Sequence, residues 1–423
     1  MFKNYGDITK IDGSKVETVD CVIGGSPCQD LSIAGNKQGL SGSQSRLFLE
    51  QMRVIEEMRI SSNGTKPRYM VWENVTNSLS CSKGKDFQRV LMECVNVAIR
   101  TSSNRGENKK ETSDENSEKY TTIPDVPMPK DGKWPRSGIL YDDMGRWSIA
   151  WRVHDAQYWG VAQRRRRISL VCDFGGMSAP EVLFERKSVQ WNLDTCNTQG
   201  KRTTKGVIRG FTESDTESYI YDARGNGTGK LASALTGDHD NRIIDYTNVI
   251  VENREINNKL PTICIGNGQS HVTEHYTEEV AQTLNCMHDP MTILEPTDTY
   301  KYLVRRLTPL ECTRLQGFPD HWVDIGEWVD SKGKKHKETD APKYKALGNS
   351  IALPFWKWLC RNIVNKIKEA NRDVDYIPTM GSLFAGIGGF DLCWNEATKN
   401  KDSVLWVSEI EEFPIAVLKH NFG

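Results

Sequence analysis

Along the first hundred residues, short apolar runs alternate with longer amphipathic ones. The stretches "VDCVIGG" (19–25) and "RYMVWENV" (68–75) are compact apolar runs that end in small or polar residues, the pattern of buried strands. In "SRLFLEQMRVIEEMRI" (45–60) and "DFQRVLMECVNVAI" (86–99) apolar residues recur every three or four positions, as on a helix with one buried face. Strand followed by helix, repeated, predicts an α/β fold with a parallel sheet. From Thr101 to about Lys119 the chain has no large apolar residue, which predicts an exposed, disordered insert at 101–119. Order is expected to resume by Trp134, and "RRRRISLVCDF" predicts another strand near 166–174.

Beyond Gly176 the rhythm stops. Residues 178–303 are rich in Gly, Asn, Thr and Asp and carry an imperfect repeat: 221–240 and 263–289 share GNG, an alanine before a leucine, and a closing His-Asp. Two copies are too few for a solenoid, so this segment reads as a smaller domain of short strands and loops. It separates a first part of the main domain, 1–177, from a second, 304–423. In the second part helical patterning returns at 305–322 and 344–370, and a strand–turn–helix–strand unit follows from Thr379.

Length and charge narrow the picture. A chain of 423 residues suits two domains, and a net charge of -1 means that any nucleic-acid contact must come from a local basic patch. Eleven cysteines include no CxxC pair, and the eight histidines do not cluster with them; no metal site is expected, and reduced thiols point to the cytoplasm. No signal segment or membrane span is expected.

Four places carry candidate chemistry. Cys28, after Pro27 at the end of an apolar run, is either a small buried hydrophobe or a nucleophile held at the rim of a sheet. Glu73 ends a strand; it is either a capping or solvated acid or an active-site acid, because open α/β sheets bind ligands at that edge. "LFAGIGGF" (383–390) is a tight turn or a cradle for a nucleoside-containing cofactor, with Glu409 at the end of the next strand for ribose hydroxyls. In "AQRRRRISLV" (162–171) strand alternation puts Gln163, Arg165 and Arg167 on one face and Arg164 and Arg166 on the other.

Taken together, "LFAGIGGF", "SEIE" (408–411), "GDIT" (6–9), "GGSPCQDLS" (24–32), "SRLFLE" (45–50), "WENV", "YWGVAQRRRR" (158–167), "RRLTPLECTRLQGFP" (305–319) and "ALGNSIALP" (346–354) resemble the cytosine-C5 DNA methyltransferases. The resemblance implies a Rossmann-like, S-adenosylmethionine-dependent methyltransferase sheet with helices on both faces. Residues 178–303 then fall where the family has its target-recognition domain. It implies that Cys28 adds to C6 of a flipped cytosine, that Glu73 meets N3 and the exocyclic amine, and that Arg165 holds the O2 side, with Gln163 and Arg167 beside them. For the cofactor it implies Phe384, Ala385, Gly386, Ile387, Gly388 and Gly389 around the methionine moiety and Glu409 and Ile410 at the ribose. Asp7 and Ile8 would serve the adenine, and Leu47, Asn349 and Ser350 would complete the pocket. Gln29, Ser32, Arg164, Arg166, Thr283 and Leu284 are the expected DNA contacts, and the Gly-rich 34–45 the expected lid over the flipped base.

Double-stranded DNA is the implied partner, with a cognate restriction endonuclease as a second; a monomer is expected, with no membrane or metal. A relative acting on transfer RNA would share the catalytic blocks, though the long recognition segment favours DNA. A silent DNA-binding protein would be expected to have lost Cys28, Glu73 or the glycine turn. Most of the family begins with the glycine turn and ends with the GNS block. Here the turn comes near the end, so the order looks circularly permuted, with 371–379 as the link.

Overall fold

The computed structural model describes residues 3–26, 47–102, 126–184, 307–371, 373 and 375–423, together with the backbone of five strands between 218 and 306. In chain order the first strands are β1 (Cys21–Gly24), β2 (Tyr69–Val75), β3 (Ser137–Tyr141), β4 (Ser148–Asp155) and β5 (Arg166–Asp173). The recognition segment contributes β6 (Ser218–Asp222), β7 (Asn248–Glu255), β8 (Ile263–Ile265), β9 (Thr292–Leu294) and β10 (Tyr300–Arg306). A small hairpin, β11 (Trp328–Val329) and β12 (Lys335–His336), precedes β13 (Met380–Leu383) and β14 (Val404–Ser408).

Seven of these strands form one sheet in the order β14-β13-β1-β2-β5-β4-β3. The sheet is mixed: β14, β13, β1 and β2 are mutually parallel, whereas β5 runs antiparallel to β2, β4 to β5 and β3 to β4. The expectation of an all-parallel sheet therefore holds for half of it. Only the parallel half is joined by crossover helices; β3, β4 and β5 follow one another as an antiparallel meander. Side chains alternate between the two faces along each strand, so Cys21, Ile23, Tyr69, Val71, Ala150 and Val171 meet the helices Pro309–Gln316, Leu353–Ala370 and Gly389–Thr398 on one face. Val22, Met70, Trp72, Ile149, Leu170 and Cys172 meet Leu47–Ser61 and Lys85–Ser102 on the other. Helices on both faces are what the fold class requires.

Local sequence explains several boundaries. Thr308 and Glu311 exchange side-chain and backbone hydrogen bonds in a capping box, and Gly317 closes the same helix at φ 79°. The helical pattern expected across 344–370 breaks at Ser350, which is extended, with Pro354 opening the next helix. At the expected insert, Thr101 and Ser102 still belong to the helix Lys85–Ser102: Thr101 is buried and its hydroxyl accepts the Arg59 Nε–H at 2.7 Å. The rest of that segment, 103–119, lies outside the described residues. A short helix, Ala179–Leu183, packs into the core of the main sheet although its sequence falls in the segment read as the recognition domain. In that segment β10-β7-β6 form one antiparallel sheet and β8-β9 a second pair, while most of the internal repeat lies outside the described residues.

Candidate functional site

After β13 the chain turns through Phe384 (φ 56°), Gly386 (φ 56°) and Gly388 (φ 82°) into the helix Gly389–Thr398. A bulky residue in the left-handed region is strained, and such strain persists only where the surroundings enforce it. The glycines divide the labour. A Cβ on Gly386 would meet nothing within 4 Å, so that side of the turn is open to a ligand; one on Gly389 would lie 2.8 Å from Ile351, just after the GNS block.

Glu409, at the end of β14, reaches back to this turn. Its carboxylate accepts N–H bonds from Gly386 at 2.6 Å and from Ile410 and Glu411 at 2.8 Å each. Burial pushes its pKa up, and the three N–H donors offset part of that. A carboxylate has about four acceptor positions, so one remains for a hydroxyl. Asn4 fixes the backbone of Glu409 from the other end of the chain, with its Nδ2 donating to the Glu409 carbonyl (3.0 Å) and its Oδ1 accepting the Glu409 N–H (3.1 Å). Ile410 is 65% exposed and presents an apolar surface beside the turn. Leu47 and Phe384 pack, half-buried, on one core cluster. Asp7 caps a short turn by accepting from Thr9 (N–H 3.0 Å, hydroxyl 2.8 Å) and remains partly exposed. Ile8 sends its side chain into the core, so only its backbone can meet a ligand. Asn349 is exposed and Ser350 half-buried at the end of the helix Asp340–Asn349. The open backbone at Gly386, the acid with one position left and the exposed Ile410 fit a nucleoside-bearing cofactor.

The second half of the site lies at the ends of β1 and β2. Glu73 is half-buried beside Arg167, with Arg167 Nε 3.0 Å from Glu73 Oε1. Burial pushes the Glu73 carboxyl up, and Arg167 and Arg165 oppose that. A Cβ on Gly25 would lie 2.9 Å from Glu73 Oε2, so glycine there lets the carboxylate sit against the strand end. Ser26 is held by two neighbours of Glu73: Trp72 Nε1 donates to its hydroxyl at 2.9 Å and Asn74 Nδ2 to its carbonyl at 3.3 Å. Cys28 follows two residues later, outside the described residues, as do Gln29, Ser32, the expected lid 34–45, Thr283 and Leu284.

The arginine run alternates as the sequence suggested: Gln163 and Arg165 are buried and Arg167 half-buried, while Arg164 and Arg166 are exposed. Arg165 is the buried arginine of the run and lies within electrostatic reach of Glu73. Its Nη2 donates to the Gly348 carbonyl at 3.1 Å and to the Ser350 carbonyl, so it ties the strand entry to the GNS loop. Arg167, two residues on, has the place beside Glu73, because β5 begins at Arg166 and only from there do side chains stand over the row that contains Glu73. Arg166 pairs with Asp155 at 3.3 Å. Gln163 is fully buried with neither amide atom hydrogen-bonded.

The sequence matches the C-5 cytosine-specific DNA methylases over residues 2–97 and 140–365, most of the chain. The chain belongs to this family. Among its relatives, a protein of Escherichia phage P1 named DNA N-6-adenine-methyltransferase is 27% identical over 86% of this chain, which spans 55% of that protein's length. Type II methyltransferase M.HhaI of Haemophilus parahaemolyticus is 22% identical over 85% of this chain and 80% of its own. Type II methyltransferase M1.ScrFI of Lactococcus lactis subsp. cremoris is 24% identical, with 87% and 68% covered. Of solved structures, S. pombe Dnmt2 methyltransferase superposes with a TM-score of 0.39 at 13% identity, covering 85% of this chain and 83% of that one. Among the described residues no group of His, Cys, Asp and Glu could hold a metal ion, and no helix is long and apolar enough to cross a membrane.

Within this family site, two residues had no sequence signal of their own. Asn4 acts on Glu409 from 405 positions away in the chain. Asp391, in the first turn after the glycines, is buried with one carboxylate oxygen unpartnered and the other accepting from Ser382 at 3.2 Å. Burial pushes its pKa up to about 7.

Proposed function

We propose that the chain is an S-adenosylmethionine-dependent DNA cytosine-C5 methyltransferase acting on double-stranded DNA. What carries this reading is the meeting of Glu73 and Arg167 with the Gly25-Ser26 stem of Cys28 at the strand ends of β1 and β2. Cytosine C5 is a weak nucleophile. Addition of the Cys28 thiolate to C6 would make C5 electron-rich and push charge toward N3. Glu73, its carboxyl pKa pushed up by burial, would hydrogen-bond N3 and the exocyclic amine and supply a proton there. Arg167 would orient Glu73 and face the O2 side, a role the sequence reading gave to Arg165; Arg165 would keep the GNS loop in place. Phe384 to Gly389, Glu409, Ile410, Asp7, Leu47, Asn349 and Ser350 would hold the cofactor. When bound, S-adenosylmethionine supplies an electrophilic methyl group.

Incubating the protein with duplex DNA and S-adenosylmethionine, then digesting the DNA to nucleosides for mass spectrometry, should yield 5-methyldeoxycytidine. N6-methyldeoxyadenosine instead, the product suggested by the phage P1 relative's name, would overturn the reading, as would methylation of transfer RNA alone. DNA as substrate and unbridged cysteines at 21, 81, 94, 172, 312, 360 and 393 fit a cytoplasmic protein.

We also read the block order as a circular permutation. In support, the family match ends at residue 365, before the glycine turn. Asn4 bridges in parallel to Val407, and the helix Glu412–Phe422 follows β14. Joined to residues 3–5, that helix would complete a strand–helix–strand crossover between parallel neighbours.

A further inference from the structure

The glycine turn is clamped from outside by Trp322. The indole Nε1 of Trp322 donates to the Ile387 carbonyl at 2.8 Å. At the other end of the same peptide unit, the Gly388 N–H donates to the Ala385 carbonyl at 3.0 Å. A peptide unit is planar, so holding both of its ends fixes the plane of the middle of the turn. Next to it, the Gly386 N–H is taken by Glu409, and the space where a Gly386 Cβ would point is open. Phe384, at φ 56°, begins the turn in a conformation that a bulky residue keeps only where its surroundings enforce it.

Trp322 is itself immobilised. It is buried, its ring meets those of Phe318 and Phe422 with centroids 5.6 Å away in each case, and its carbonyl accepts from Asn421 Nδ2 at 3.0 Å. Phe422 also fills the space beside Gly388, where a Cβ would lie 2.5 Å from Cε2 of that ring. Earlier in the same segment, Gln316 Nε2 donates to the Leu347 carbonyl at 2.8 Å, just before the GNS block. Side-chain N–H groups of residues 316–322 thus hold both backbone loops that border the proposed cofactor pocket.

Resting on the cofactor reading above, we propose that Trp322 is a positioning residue for S-adenosylmethionine: its indole N–H presets the peptide unit between Ile387 and Gly388, so that the open backbone at Gly386 is already in its binding arrangement when the cofactor arrives. Without that N–H the Ile387 carbonyl loses its partner and the turn samples other arrangements. Binding must then order the turn, and the affinity falls in proportion to the competent fraction.

The test compares wild type with two full-length variants that lack the N–H: Trp322→Phe, and a protein with benzothienylalanine, an indole isostere with sulfur in place of N–H, at position 322. The chain has 12 tryptophans, so the isostere is inserted at that position alone. Calorimetric titration with S-adenosylmethionine should show binding about five- to tenfold weaker in both variants, the effect of one hydrogen bond. In the cofactor-free proteins, hydrogen exchange across residues 383–390 should be faster than in wild type, because the Gly388 N–H is released with its peptide unit. The isostere keeps the packing against Phe318 and Phe422, so its behaviour decides the matter if Trp322→Phe loses its fold. Wild-type affinity in the isostere, or wild-type exchange across the turn, would overturn the proposal: a tryptophan that only packs would give both. If wild type itself binds no S-adenosylmethionine, the cofactor reading fails; if wild type binds it and the isostere binds it equally well, this inference alone fails.

Discussion

Glu73 is half-buried beside two arginines, and desolvation and these positive charges pull its proton in opposite directions. Removing Arg167 leaves burial less opposed, so the carboxyl pKa rises and Glu73 stays protonated to higher pH. If Glu73 donates to N3, Arg167→Gln should move the alkaline limb of the rate–pH profile upward while lowering the maximal rate by about tenfold or more. An unmoved limb would separate Arg167 from Glu73. Asp391 allows a check on stability. Its folded pKa, about 7, lies above the ordinary 3.8. Its contribution is therefore full below about pH 4, is lost as pH rises to about 7, and is flat above. Asp391→Asn should remove that slope and raise the melting temperature above pH 7; a variant with the wild-type slope would contradict it. At this scale the sequence was legible where chemistry and position coincide. Glu73 could be singled out because it follows the apolar run that opens β2. That Arg167 forms the ion pair with Glu73 could not, since Arg165 and Arg167 point to the same face and only the residue at which β5 starts decides which one stands by Glu73.

Elements meet at the site through close contacts that a side chain would block. Gly389 opens its helix against Ile351, at 2.8 Å, and Phe318, at 3.3 Å. Gly389→Ala should force the GNS loop away from the glycine turn, at about 1–3 kcal/mol of stability, and weaken S-adenosylmethionine binding in calorimetry; unchanged affinity would mean that the loop does not shape the pocket. The strands and helices whose apolar residues face inward were readable from periodicity, as for Lys85–Ser102, where Phe87, Val90, Leu91, Cys94, Val95 and Ala98 form the buried stripe. Strands β3 and β4 were missed. β3 reverses the usual pattern: Ile139 and Tyr141 are exposed, and Gly138 lies on the strand because Trp151 of β4 occupies the space where its Cβ would be, 2.1 Å from Cζ2.

Segments far apart in the sequence meet beside the glycine turn. Residues 3–5 pair with Val407, Ser408 Oγ donates to the Gly6 carbonyl at 2.6 Å, and β13 lies between β14 and β1. The link expected at 371–379 is anchored: the Tyr376 hydroxyl donates to Asp20 at 2.7 Å, Lys66 pairs with Asp20 at 3.0 Å, and the Thr379 N–H reaches Asp20 at 2.8 Å. Block order alone suggested that the chain ends meet, but the contacts that hold them are long-range and leave no local pattern. A chain in which Gly423 is joined to Met1 and a break opened near Asp375 should fold and methylate the same sites, as read by sequencing of modified cytosines; an inactive, unfolded product would refute the permutation. The covalent role of Cys28 is the centre of the proposed chemistry, and trapping tests it most directly. Duplex DNA with 5-fluorocytosine at the target, incubated with protein and S-adenosylmethionine, should give a denaturation-resistant complex whose peptide adduct maps to Cys28, because no C5 proton can then leave. Cys28→Ser should give none while binding the cofactor normally. No adduct with wild type, or an adduct on another residue, would contradict the proposed mechanism.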